Sequence, residues 1–201
     1  MKSVGETMSI GKTFKQSLQK ALRGLETGHA GFGADGKDGP FEAMSDDEVE
    51  AELRRPNAER LFVLRAALKR GWSIDRIFDL CMIDRWFLRH LAELAAYEEE
   101  IKSAGNLNGL KADELLFRQA KSFGYSDRQI SHLMDCTEDD VRNARKEIGL
   151  KPVYGLVDTC AAEFVAYTPY YYSTYGDCDE DRGSAGKKKI MILGGGPNRI
   201  G

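Results

Sequence analysis

Histidine, cysteine and proline are all scarce in this chain of 201 residues, with three, four and five copies respectively. The cysteines, Cys81, Cys136, Cys160 and Cys178, are scattered, with no CxxC pair and no histidine at finger spacing. That pattern excludes a zinc finger and a disulfide framework and predicts reduced thiols in the cytosol. No apolar run approaches the roughly 20 residues that a membrane span needs. The opening MKSVGETMSIGKTF also lacks the charged-then-apolar layout of a secretory leader, so neither a membrane partner nor a targeting segment is expected. Charge of one sign is missing too. A formal net charge of -3 gives no electrostatic footprint for a phosphate backbone, and nucleic acid is not expected as a partner.

Helix punctuation is what the chain has in quantity. Thr13 with Gln16 predicts a capping-box start for a helix whose Phe14, Leu18, Ala21, Leu22 and Leu25 share one face. The glycine-rich passage HAGFGADGKDG then separates this helix from the rest of the chain, and a domain boundary is placed near Phe32. From Ser45 to Leu150 start and stop signals recur. Ser45 with Glu48 opens a helix that Arg55-Pro56 interrupts, and Asn57 caps the next, which ends at Gly71. Ser73 opens a short helix, and Asp84 opens a long one carrying Trp86, Phe87, Leu88, Leu91, Leu94 and Ile101 before Gly105; this helix is the expected scaffold. Helices are also predicted over Asp113 to Phe123, from Ser126 with Gln129, and from Thr137 with Asp140 to Gly149.

Two stretches look like copies of one unit. Gly71-Trp72-Ser73 with Ile77, Leu80 and Cys81 is matched by Gly124-Tyr125-Ser126 with Ile130, Leu133 and Met134. After Lys151-Pro152 helical periodicity stops, and a tyrosine-rich, then acidic and glycine-containing stretch reads as an extended connector whose tyrosines anchor it. Lys189 to Leu193 reads as a buried strand running into the loop Gly194-Gly195-Gly196-Pro197. The predicted fold is therefore mainly α: an orthogonal helical bundle with an extended C-terminal connector and one isolated β-strand at the end.

Chemistry is sparse by comparison. The glycine loop is neither GxGxxG nor a P-loop, which makes a tight turn the simpler reading than a nucleotide site. Glu98, Glu99 and Glu100 run consecutively and are expected on a solvated face. His29, His90 and His132 lie in separate segments with no nucleophile motif beside them. The segment from Ser126 to Gly149 has the outline of a DNA-binding helix-turn-helix with Arg142, Arg145 and Lys146. Its second helix, however, opens on Glu138, Asp139 and Asp140, which phosphates would repel. That regulator remains the alternative reading. No catalytic, cofactor-binding or metal-ligating residue is assigned.

Four stretches converge on one family: MKSVGETMSIGKTFKQSLQKALRGLE, the run Met82 to Leu88 (MIDRWFL), VYGLVDTCAAEF with YYYSTY after it, and KIMILGGGPNRIG. In this order they resemble the middle of the large subunit of carbamoyl-phosphate synthetase. The resemblance implies a piece of a longer chain. Residues 1–32 would be the end of the first ATP-grasp half, 33–186 the helical oligomerization domain with its connector, and 187–201 the first strand and loop of the second half. It further implies a parent ligase of the cytoplasm that makes carbamoyl phosphate for pyrimidine and arginine biosynthesis. Its substrates would be bicarbonate, ATP and ammonia, with magnesium or manganese and a glutamine amidotransferase small subunit as partner. The present segment would join the two halves, form homo-oligomers through its bundle, and catalyse nothing alone. The stretch from 33 to 60 departs most from the family's pattern.

Overall fold

The computed structural model describes residues 7–165 and 168–180 together with residues 183, 186, 188, 190 and 191. Among them the fold is mainly helical: α1 (Phe14–Gly24), α2 (Gly39–Glu42), α3 (Asp46–Arg54), α4 (Arg60–Lys69), α5 (Ile74–Cys81), α6 (Arg85–Ser103), α7 (Leu107–Ala112), α8 (Glu114–Ser122), α9 (Asp127–Met134) and α10 (Glu138–Glu147). A two-stranded antiparallel sheet, β1 (Val153–Leu156) and β2 (Tyr171–Thr174), comes after the helices.

Most helices begin where a short polar side chain replaces a missing backbone partner. The Ser45 hydroxyl accepts from the Glu48 amide while Glu48 accepts from the Ser45 amide, and the same reciprocal pair forms at Ser126 with Gln129 and at Thr137 with Asp140. Two starts differ from the sequence reading. At α1, Thr13 accepts from the Gln16 amide at 3.3 Å, but the Gln16 side chain accepts from Lys12 rather than Thr13. Asn57 does not cap α4; it accepts from the Glu59 amide at 2.9 Å in a turn, and the helix begins three residues later at Arg60. Helices α2 and α7 carry no apolar period long enough to announce them. Asn106 nevertheless caps α7 by accepting from Asn108 and Gly109, both at 3.0 Å.

The sequence repeat is a structural one, and its offset stays constant at 53 residues from Gly71 to Gly124, Ser73 to Ser126 and Asp84 to Thr137. In each copy a helix ends on a left-handed glycine and the following aromatic amide reaches back, Trp72 to Ala67 and Tyr125 to Ala120. A short helix comes next and ends on a left-handed residue, Met82 or Asp135, before the next cap. A helix of eight residues is unstable in isolation. Here Ile77 and Ile130 are fully buried against the neighbouring helices, which gives each short helix the packing it needs.

Helix α6 is the scaffold. It packs against α1, α4, α5, α8 and α9, with Leu88, Leu91, Leu94 and Ile101 buried along one stripe. Each such side chain contributes on the order of 1.5–3 kcal/mol of burial free energy.

The first helix does not stand apart from this bundle. Leu22 is buried, and Phe14 and Leu18 are packed on the core, leaving only Leu25 of the apolar stripe exposed. The glycine-rich passage is likewise interior, with Ala30, Phe32 and Ala34 buried. Its backbone groups are satisfied by side chains from both sides. Gln19 accepts from the Phe32 amide at 2.7 Å, and Gln129 donates to the Gly33 carbonyl at 2.8 Å. Asp35 accepts from Ala30 at 2.7 Å and Asp38 from Ala34 at 2.8 Å. At Gly33, φ is +74° and a Cβ would stand 2.4 Å from the Arg65 Nε, so glycine is required by both conformation and space.

The connector also folds. Val153 pairs with Thr174 and Leu156 with Tyr171 across the sheet. Thr174 is buried and its hydroxyl donates to Gln16 Oε1 of α1 at 3.0 Å, which fixes β2 to the bundle. The outer side of β1 is covered: the Glu180 amide donates to Tyr154 O at 2.8 Å and Leu156 donates to the Glu180 carboxylate at 2.6 Å. Tyr175 packs on the core as an anchor, whereas Tyr170 and Tyr171 are exposed and Tyr167 lies outside the described residues. So do the glycine loop 194–201 and most of the expected terminal strand. Ile190 and Met191, described within it, are exposed.

Candidate interaction surface

The most conspicuous surface feature is aromatic and sits at the start of α6. Met82 ends α5 in the left-handed conformation, Asp84 turns the chain and accepts from the Trp86 amide at 2.7 Å, and α6 then presents Trp86 and Phe87 in its first turn. Phe14 of α1 meets them at an angle, with ring centroids 5.3 Å from Trp86 and 5.2 Å from Phe87. The His90 ring lies 4.3 Å from Trp86 and 5.7 Å from Phe14. The cluster is not sealed: Met82 is 71% exposed, Trp86 48% and Phe87 42%. Two guanidinium groups of α5 and α6 stack on rings outside this cluster. Arg85 lies 3.7 Å over the Phe78 ring and donates to Asp75 at 2.7 Å, and Arg76 lies 3.4 Å over Trp72. An exposed apolar, aromatic cluster is the composition of a protein contact rather than of a reaction centre.

His90 has no catalytic company. Its Nδ1 is buried without a hydrogen bond, and the nearest carboxylate, Glu93, is 3.6 Å away and already paired with Lys15. His29 stacks on Phe62 with centroids 3.9 Å apart and lies 3.2 Å from Asp35, a structural contact within the glycine passage.

The buried charges are structural as well. Glu98, expected on a solvated face, is 1% exposed. It takes a two-pronged bond from Arg65, Nε to Oε1 at 2.9 Å and Nη2 to Oε2 at 2.7 Å, and a third from Lys69 at 2.8 Å. Asp38 adds a second carboxylate 3.0 Å from Arg65. Burial opposes the Arg65 charge, but the bonds and charge of Glu98, with Asp38, outweigh it and hold the guanidinium firmly protonated. The signal for this burial was in the spacing, since Glu98 falls on the same helix face as Leu91, Leu94 and Ile101. Glu99 and Glu100 are on the solvated side as expected.

A second network counts against a DNA-reading role for α9 and α10. Asp127 accepts from Lys121 and from Arg145, both at 2.7 Å, so one of the basic residues available to a phosphate backbone is already engaged. The first turn of α10 is acidic at Glu138, Asp139 and Asp140.

Among the described residues no group of three or more His, Cys, Asp or Glu side chains is placed to hold a metal ion. No described helix is long and apolar enough to cross a membrane. Cys81, Cys136, Cys160 and Cys178 are free thiols.

Comparison with known proteins gives this geometry its setting. The family described as the carbamoyl-phosphate synthetase large chain, oligomerisation domain, matches residues 6–149. A carbamoyl phosphate synthase large chain of Rhodopirellula baltica is 52% identical over 203 aligned residues, covering 100% of this chain and 19% of that protein. The large chain of Archaeoglobus fulgidus is 48% identical, covering 100% of this chain and 18% of its own length. The arginine-specific chloroplastic large chain of Arabidopsis thaliana is 46% identical, with 100% and 16% covered. The chain thus spans less than a fifth of the length of these curated relatives. With residues 6–149, most of its length, matched to that domain, the chain belongs to the carbamoyl-phosphate synthetase large-chain family, in its oligomerisation domain.

Proposed function

We propose that this segment joins two ATP-grasp catalytic halves of a carbamoyl-phosphate synthetase large chain and associates with a second copy of itself, without catalysing a reaction alone. The observation that carries the reading is the match of residues 6–149 to a domain described by its oligomerising role. The aromatic face at Met82, Trp86 and Phe87 supports it by supplying apolar surface beyond what the bundle buries. The first helix and the connector both tie into the bundle, through Leu22 and through the Thr174 bond to Gln16, so α1 and β2 are fastened to one body. That is what a spacer between two catalytic bodies requires.

For the parent, the reading assigns synthesis of carbamoyl phosphate from bicarbonate, ammonia and ATP, with ammonia delivered by a glutamine amidotransferase small subunit. It places ATP, with magnesium or manganese, in the ATP-grasp bodies rather than in the bundle. Arginine and pyrimidine biosynthesis are the processes such a product serves.

Light scattering over a wide range of protein concentration tests the reading. A concentration-dependent dimer or larger species that reverts to monomer on Trp86→Glu with Phe87→Glu supports both the role and the face. A monomer at every concentration sinks self-association for this chain. Association that survives both charges moves it to another face.

A further inference from the structure

A hollow of about 180 Å³ opens beside α1, away from the aromatic face. It has room for several waters or one small ion. Three cationic side chains line it: Lys20 and Arg23 from α1 and Lys121 from α8. Two carboxylates share the lining, Asp127 at the start of α9 and Glu138 at the start of α10. Arg145 of α10 stands behind Asp127.

Lys20 and Arg23 are held in place by neutral carbonyl oxygens, and Lys121 by one carbonyl and one carboxylate. One Nη of Arg23 donates to the carbonyls of Ala30 at 3.2 Å and Gly124 at 2.8 Å. The Lys20 ammonium donates to the carbonyls of Ile10, at 2.8 Å, and of Ser173. Lys121 donates to the Tyr125 carbonyl and to Asp127, both at 2.7 Å. Asp127 must also answer Arg145 at 2.7 Å, so a single carboxylate faces two cations at bonding distance. Glu138 makes no ion pair among the described residues. With Arg145 included, four cations stand against two carboxylates around a small space.

Burial weighs against the charged form of these groups. Burial, and after it the charge of Arg23, holds Lys20 below the ordinary lysine range. Burial lowers Arg23 despite Tyr175 and Asp127. Lys121 is pushed down to about 8, by burial above all. A group whose charged form is penalised in this way gains when an anion enters beside it.

We propose that this hollow binds a small oxyanion, a phosphate or phosphoryl group, held between the Lys20 ammonium and the Arg23 guanidinium at the amino end of α9. Arginine matches phosphate oxygens through its planar donor fork, and lysine adds a point charge. Asp127 and Glu138 restrict the site to one anion, because a second would meet them without a free cation. The hollow is separate from the aromatic face, so the proposal does not depend on how the chain associates.

Isothermal titration of the 201-residue chain with inorganic phosphate, at ionic strength held constant with chloride, tests this. The expected result is one saturable site with a dissociation constant below about 1 mM. Lys20→Gln weakens it about tenfold, and Arg23→Lys, which keeps the charge but removes the fork, weakens it severalfold. Lys20 bonds only to carbonyls, so its replacement leaves the bundle folded, which a thermal melt verifies. A nucleoside monophosphate titrated in parallel separates the sources. Tighter binding than phosphate, lost in Lys20→Gln, assigns the phosphoryl group to a larger molecule, and equal binding assigns free phosphate. No saturable heat up to about 20 mM phosphate overturns the proposal, as does affinity unchanged in both variants.

Discussion

Replacing Glu98 with glutamine makes the sharpest test of how this bundle is held together. The substitution keeps the shape of the side chain and removes its charge. In the native chain that carboxylate answers Arg65 through two bonds and Lys69 through a third, while 1% exposed. Glutamine can accept through only one oxygen and turns an N–H toward donors. Breaking a buried pair by neutralising one partner costs about 3–5 kcal/mol, because the other charge stays buried. Asp38 remains 3.0 Å from Arg65, which places the expected loss near the lower end, about 3 kcal/mol.

For a chain of this size each kcal/mol moves Tm by about 2–4 °C, so Glu98→Gln should melt about 6–12 °C below the native protein. The control is its neighbour. Glu99 pairs with Lys69 and Lys102 but is 62% exposed, and solvent-screened pairs contribute less than about 1 kcal/mol, so Glu99→Gln should melt within about 4 °C of native. Circular dichroism melts and urea titrations of both variants measure the difference. Arg65→Met combined with Glu98→Leu should be less destabilised than the two single changes added together, since the pair is removed whole. Equal losses for Glu98→Gln and Glu99→Gln would refute the buried network.

Other parts of the molecule supply three further tests. Gly33→Ala must adopt φ near +74° and push against Arg65, which its ion pairs hold still, so a loss of about 2–4 kcal/mol in urea is expected. Gly71→Ala, at φ +79° with open space around it, should lose only about 1–2 kcal/mol. Amide hydrogen exchange should show Gln19 and Leu22 of α1 protected like the core of α6, with Phe164 and Val165 exchanging fast; rapid exchange along α1 would mean that the helix is not docked. The folded Lys121 value of about 8 lies below the unfolded lysine value, so its charge opposes folding at neutral pH and the penalty is relieved as pH rises from about 8 towards 10. Native stability should therefore rise relative to Lys121→Met over that window, and parallel pH profiles for the two proteins would show that Lys121 carries no such penalty.

Much of the helical order can be read from single residues. Ser45, Ser73, Asp84, Asp113, Ser126 and Thr137 each accept from an amide of the turn they precede, because a capping oxygen answers a purely local need. The repeat is legible for the same reason: glycine, aromatic and serine in sequence describe one turn, and one turn suffices to specify itself. Features that escape such a reading are set by partners distant in sequence. The glycine passage has the composition of a surface linker. It is buried because Gln19, Gln129 and Arg65, from three different helices, supply the bonds and walls that its bare backbone needs. Asn57 reads as a cap because its residue type fits both a cap and a turn, and only the Glu59 bond distinguishes them. The connector lacks helical period and forms no helix among its described residues. Its pairing of Val153 with Thr174 depends on Thr174 meeting Gln16, across 158 residues.

These long-range bonds share a direction. Gln16 and Lys20 hold the hairpin, Gln19 holds the glycine passage, Arg23 holds the turn at Gly124, and Lys15 pairs with Glu93 of α6. All five side chains lie on α1. The helix that the sequence sets apart is therefore the one to which the passage, the repeat's second turn, the scaffold and the connector are all fastened. A domain fastened this way would transmit a displacement of its first helix to its connector through the bond from Thr174 to Gln16 and the bond from Lys20 to the Ser173 carbonyl. The first is buried and the second exposed, so the first should dominate. Gln16→Leu should accordingly loosen the hairpin, raising hydrogen exchange at Gly155 and Tyr172, while leaving the α6 core protected. Unchanged exchange in the hairpin would mean that Lys20, with Tyr175 packed on the core, is sufficient to hold it.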